Sequence, residues 1–98
     1  MVGAVVTFRF GDDFEEHAVR KVAEASHAHF AGMPALRSKA FTVNAAKREA
    51  MNFYVWDSED AATAFFTEAL LARVTGLYGV RPTVDIVQIA ALVENRTT

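Results

Sequence analysis

The stretch Pro82–Val93, PTVDIVQIAALV, decides how this chain folds. Read as a strand opened by Pro82, it presents two alternating sets of side chains. Val84, Ile86, Gln88, Ala90 and Leu92 form one set, and Asp85, Val87, Ile89, Ala91 and Val93 the other. A sheet with helices on one face and water on the other alternates apolar and polar residues. Here both sets are predominantly apolar, so both faces of the strand need cover. The stretch Met51–Trp56 repeats the pattern, with Asn52, Tyr54 and Trp56 alternating with Met51, Phe53 and Val55.

Working outward from these strands gives the element order. Before Pro82, Gly79 stops a helix whose apolar face is Phe65, Phe66, Leu70, Leu71, Val74 and Leu77. Ser58 caps its start, followed by Glu59 and Asp60 where the helix dipole favours acids. Thr67 followed by Glu68 reads as a second N-cap, which predicts a break inside this helix. Leu36–Val43 and Met51–Trp56 read as two strands joined through 44–49. A first helix is expected from a capping box of Asp12 and Glu15 until Gly32 and Pro34 end it. Its apolar stripe would run through Phe14, Ala18, Val22, Ala25 and His29, extended by Val19, Ser26 and Phe30. The first strand spans Val2–Phe10. The order β-α-β-β-α-β with right-handed crossovers predicts a ferredoxin-like α+β fold. Its four-stranded antiparallel sheet has the first and third strands central and both helices on one face. The other apolar face is then satisfied most economically by a second copy, so a homodimer is expected.

Composition agrees. Ninety-eight residues make one domain, 1–98, and 52% of them are hydrophobic, above the 45–50% usual for soluble proteins. That surplus needs an interface or a ligand cavity. A net charge of −2 argues against nucleic-acid and anionic-membrane partners. Uncharged runs such as Ile86–Val93 fall far short of the ~20 residues that span a bilayer. The start of the chain does not read as a signal peptide, so a cytoplasmic protein is expected. Without cysteine there are no disulfides, thiolate metal sites or cysteine nucleophiles. No phosphate-binding glycine loop, nucleophile elbow or metal-spaced ligand set is present either.

Four segments carry a family resemblance: MPALRSKAFT (Met33–Thr42), NFYVWDSE (Asn52–Glu59), AFF (Ala64–Phe66) and ARVTGLYGVRP (Ala72–Pro82). Together they resemble the YdhR-like monooxygenase family of the dimeric α+β barrel superfamily. The resemblance covers most of the chain from Phe30 to Asn95. It implies two sheets pairing as a dimeric barrel. It also implies oxidation of a small phenolic or quinol-like aromatic by molecular oxygen, with no metal, flavin or haem cofactor. Other members of the superfamily degrade haem, isomerise lactones or only bind, and fold alone does not choose among these.

The residues that could carry such chemistry are few. His29, on the apolar stripe, is expected to face the sheet as a base or donor for a phenolic substrate; the plainer reading is a histidine bonded near the helix C-terminus. Asn52, Tyr54 and Trp56 share one strand face and could line a pocket for a flat ligand, or serve as core or interface side chains. Asn52 is the most suggestive of the three, because an amide in a central strand needs partners. Arg37 and Lys39 lie on one face of an edge strand, as guards against edge pairing or as a carboxylate or phenolate site. Phe65, Tyr78 and Gln88 complete the candidate substrate-binding set, and Arg81 beside Pro82 is a further cation. The leading expectation is a cofactor-independent oxygenase with a pocket between sheet and helices. The alternative is a non-catalytic small-molecule-binding or accessory dimer.

Overall fold

The computed structural model describes residues 1–95; residues 96–98 of the expected domain lie outside the described residues. Four strands form one antiparallel sheet: β1 (Val2–Arg9), β2 (Leu36–Asn44), β3 (Glu49–Trp56) and β4 (Thr83–Gln88), in the order β2-β3-β1-β4. Three helices cover one face: α1 (Glu16–Phe30), α2 (Glu59–Phe65) and α3 (Glu68–Tyr78). The expected ferredoxin-like α+β arrangement is the observed one, with the first and third strands central.

The register separates the two sheet faces. Ala4 pairs with Tyr54 and Ile86, and Val6 with Asn52 and Val84, so the even-numbered positions of β1, β3 and β4 share a face. That face meets the helices, and Val2, Ala4, Val6, Phe8, Ala50, Asn52, Tyr54 and Trp56 are buried there. The opposite face carries Val5, Phe53, Val55 and Val87 without helical cover. Gly3 lies on it because the Phe53 ring crosses directly above. A Cβ at Gly3 would come within 2.8 Å of the Phe53 Cζ atom.

The second helical region breaks where Thr67 predicts. Phe66 leaves helical geometry, and the Thr67 hydroxyl accepts from the Leu70 N–H to begin α3. Ser58 caps α2 through the Ala61 N–H, and Gly79 ends α3 at φ 85°, a conformation that costs a residue with a Cβ. The break lets α2 pack Ala62 and Phe66 over β1 and β3 while α3 runs on separately toward α1.

Three expectations are corrected. The Asp12–Glu15 capping box does not form. Gly11–Asp13 is a short 3-10 turn, Phe14 is extended against Phe10, and Glu15 itself caps α1 by accepting from the His17 N–H. Asp12 instead accepts from the Arg48 guanidinium at 2.8 Å. The last strand stops at Gln88 rather than Val93, because beyond a single Ile89 N–H to Met1 carbonyl contact the chain outruns its partner β1. Leu92 and Val93 are left exposed. The stripe of α1 is also rotated. Val19 is buried, and Ser26 and Phe30 turn inward, so His29, about 100° around the helix from Phe30, is exposed. Burial of the larger apolar Phe30 decides this orientation.

Thr67→Ala should cost about 1 kcal/mol by removing the cap of α3. Denaturant unfolding should show the loss as a lower midpoint with an unchanged slope.

Candidate functional site

The break between α2 and α3 leaves room over the middle of the sheet, between α1 and α3. There the structure holds a cavity of about 290 Å³. Its floor comes from Phe8 of β1, Lys39 and Phe41 of β2, and Asn52 and Tyr54 of β3. Its walls are His29 and Phe30 of α1, Phe65 of α2, and Arg73 and Tyr78 of α3. The volume sits at the lower end of the ~300–1,000 Å³ range of small-molecule sites, enough for a ligand of one or two rings.

The polar floor is built by Asn52 and Tyr78. Asn52 is buried at 3% exposure on a central strand, where backbone pairing takes care of its main chain but not its amide. Its Nδ2 donates to the Tyr78 hydroxyl at 3.5 Å, a long bond that holds the amide only loosely. Tyr78 is fixed by stacking on Phe8, with ring centroids 3.9 Å apart. Burial pushes the Tyr78 phenol above its ordinary pKa, and the Asn52 hydrogen bond opposes that. Burial, with the neighbouring Tyr78 second, likewise pushes up the Tyr54 phenol. Both phenols are therefore neutral donors at physiological pH.

Lys39 is the unexpected member. Its Nζ lies 3.3 Å from the centroid of Phe30, 4.2 Å from that of Phe41 and 4.3 Å from that of Tyr54. Loss of water lowers this ammonium from 10.5 to about 7. The three ring faces act in the opposite direction, since their quadrupoles favour the cation. Among the described residues, Lys39 has neither an ion pair nor a side-chain hydrogen bond. The five ion pairs there belong to Arg9, Arg20, Arg37, Arg48 and Arg81.

Of the residues singled out from the sequence, His29, Asn52, Tyr54, Phe65 and Tyr78 line the cavity. His29 does so from its exposed rim, edge-on to Phe30 at 5.2 Å, and not from beneath α1 as expected. Trp56 lies behind the wall, stacked on Tyr54 at 5.9 Å and 8°. Its buried Nε1 has no hydrogen-bond partner among the described residues. Arg37 lies elsewhere. A bulge between Leu36 and Ser38 places Leu36, not Arg37, on the face of Lys39, and the Arg37 Nε meets Asp57 at 2.6 Å in solvent. Gln88 is also outside, its amide donating to Glu59 at 3.1 Å. Arg81 pairs with Glu68 at 2.6 Å beside α3. Sequence reasoning passed over Arg73 and weighed Lys39 only together with Arg37. The overlooked signal is that Lys39 alternates with Phe41 and Val43, which places it on the apolar face.

No protein-family model matches this chain, and no curated protein matches it significantly. Solved structures do. SnoaB, a cofactor-independent oxygenase from Streptomyces nogalater solved as an asparagine-to-alanine mutant, is 18% identical with a TM-score of 0.68 over 96% of this chain and 97% of its own. The monooxygenase ActVA-Orf6 of Streptomyces coelicolor, solved with the ligand nanaomycin D, is 17% identical with a TM-score of 0.69. That alignment covers 97% of this chain and 92% of the other. Rv0793 from Mycobacterium tuberculosis is 18% identical with a TM-score of 0.65, covering 97% and 98%. These likenesses show a shared fold, the ferredoxin-like α+β arrangement.

Proposed function

We propose that this protein is a cofactor-independent monooxygenase acting on a small phenolic or quinol-like aromatic, a YdhR-like member of the dimeric α+β barrels. The observation that carries the reading is the buried Asn52 amide, paired with Tyr78 on the floor of an aromatic-walled cavity. The fold shared with SnoaB and ActVA-Orf6 supports it.

The chemistry asks little of the protein. A phenol with a free ring position, HO–Ar–H, reacts with dioxygen to give a quinone and water. One oxygen atom enters the product and the other leaves with the two hydrogens, and the substrate supplies all four electrons. The steps are loss of the hydroxyl proton, addition of oxygen at the ring carbon, and loss of water from the resulting hydroperoxide. Asn52 and Tyr78 stabilise the developing phenolate with neutral donors in a site of low dielectric. Tyr54 and Phe65 stack the ring, and Trp56 holds Tyr54 in place from behind. His29 at the rim takes up the released proton and returns it to the peroxide, so that both hydrogens leave in the water.

The working unit is a homodimer. The sheet face opposite the helices leaves Val87 41% exposed beside Val5 and Phe53, and the segment after β4 leaves Val93 80% exposed. A second copy meets the same patch with the same patch and covers both.

Oxygen uptake should be measured with a panel of hydroquinones. Asn52→Ala should lower kcat about 100-fold, as expected on losing an oxyanion donor. His29→Ala should lower it about tenfold or more, as for a proton-transfer residue. Turnover unchanged in both variants would sink these assignments, and binding without uptake would make the protein a carrier or accessory dimer. Separately, Phe53→Lys should move the sedimenting species from twice the chain mass to once, while wild type remains dimeric at micromolar concentration.

A further inference from the structure

The charges around the cavity do not match those of the chain. The protein carries a net charge of −2, with 12 acidic and 10 basic Lys and Arg residues. Yet the ionisable side chains lining this cavity, apart from the two tyrosines, are His29, Lys39 and Arg73, and no Asp or Glu lines it. Five of the chain's twelve acids are engaged elsewhere: Asp12, Glu16, Glu49, Asp57 and Glu68 each hold an arginine at the surface. Neither Lys39 nor Arg73 has an ion pair among the described residues. Placing an ammonium in an aromatic cage with no carboxylate nearby is costly unless something anionic arrives there.

From this we infer that the ligand is an aromatic carboxylate, its acid group held by Lys39 with Arg73 from the opposite wall and its ring among Phe30, Phe41 and Tyr54. The inference rests on the reading of this cavity as a substrate site and names the class of molecule it takes. The floor separates into two polar ends. Phe41 pairs with Asn52 and Lys39 with Tyr54, so the Lys39 backbone stands one strand over and two residues along the ladder from that of Asn52, a step of roughly 7 Å at the rise of a strand. That span suits one ring with substituents at opposite positions. The hydroxyl or ether oxygen meets the neutral donors Asn52 and Tyr78, and the permanently ionised group meets the cations. A phenol alone, uncharged at neutral pH, would leave the cationic end unanswered.

The ionisable groups that share a cavity lining with Lys39 are His27 and His29 from α1, Arg37 and Tyr54 from its own sheet, and Arg73 and Tyr78 from α3. With no carboxylate among them, a bound carboxylate is the neighbour that favours the ammonium. Binding should therefore take up a proton, and affinity should fall as pH rises above about 7.

The experiment is titration calorimetry with 4-methoxybenzoate and its neutral partner 4-methoxybenzamide, neither of which titrates between pH 6.5 and 9.5. At pH 6.5 wild type should bind the acid at least tenfold more tightly than the amide, and at pH 9.5 that preference should shrink severalfold. Lys39→Met, close in volume, should lose most of the preference and its pH dependence. Arg73→Gln should weaken the preference but keep the pH dependence, and Arg37→Gln, outside the cavity, should change neither. Equal affinity for acid and amide, no detectable binding of the acid, or a preference that survives Lys39→Met would each overturn the inference. Its failure is distinct from failure of the oxygenase reading. Oxygen uptake with uncharged hydroquinones can persist without acid selectivity, and acid selectivity can persist without uptake.

Discussion

The site depends on one placement, that of Asn52 in the middle of the covered sheet face. Its neighbours on that face of β3 are Ala50, Tyr54 and Trp56, all buried, so the amide is directed up into the cavity. It must find a partner above the sheet, and Tyr78 at the end of α3 supplies one at 3.5 Å. For Tyr78 to reach that point, α3 must start afresh after α2, which is the role of the Thr67 cap. A continuous helix from Ser58 to Gly79 could not follow both the course of α2 over β1 and β3 and that of α3 beside α1. The cavity is therefore a consequence of the helix break, and its polar floor a consequence of the buried amide.

Much of this is legible in the chain because it is local. Ser58 and Thr67, each followed by an acidic residue, cap helices through contacts within three residues, so these caps and the Gly79 terminator can be read directly. The two-sided apolar strands also survive folding, and strand order follows from connection rules. The last strand is harder. Its apolar composition continues to Val93, but pairing with β1 ends at Gln88, opposite Val2 at the start of that strand. Composition reports what a segment could do, whereas its length in a sheet is set by its neighbour.

The site is legible only in part, and the misses share a cause. Arg37 and Lys39 are two residues apart, so a regular strand puts them on one face; the bulge at Arg37 breaks that parity. The guanidinium goes to Asp57 in solvent and the ammonium goes beneath α1. His29 and Phe30 compete for the same inward direction on α1, and periodicity cannot weigh one neighbour's bulk against the other's. Phe30 takes the place, and its ring becomes the closest face of the cage around Lys39. Thus one choice exposes the histidine and encloses the lysine, and no single-residue signal contains it.

The enclosed lysine also reveals how the fold and the site compete. Its folded pKa lies below that of the unfolded chain, moving from 10.5 toward about 7. Between those values the unfolded chain binds more protons, so stability rises with pH across that window and is lowest where the ammonium is fully charged. Burial of Lys39 therefore works against folding at and below neutrality, offset only in part by the ring faces. A side chain placed for stability alone would be apolar at this position, as Phe41 and Val43 are on the same face. A carboxylate ligand reverses the sign, because it stabilises the charged form that burial penalises. The same desolvation that opposes burial of the ammonium strengthens its attraction to a bound anion. Lys39 is thus best explained by what enters the cavity, and the three rings that hold it are the surfaces that would hold the ligand's own ring.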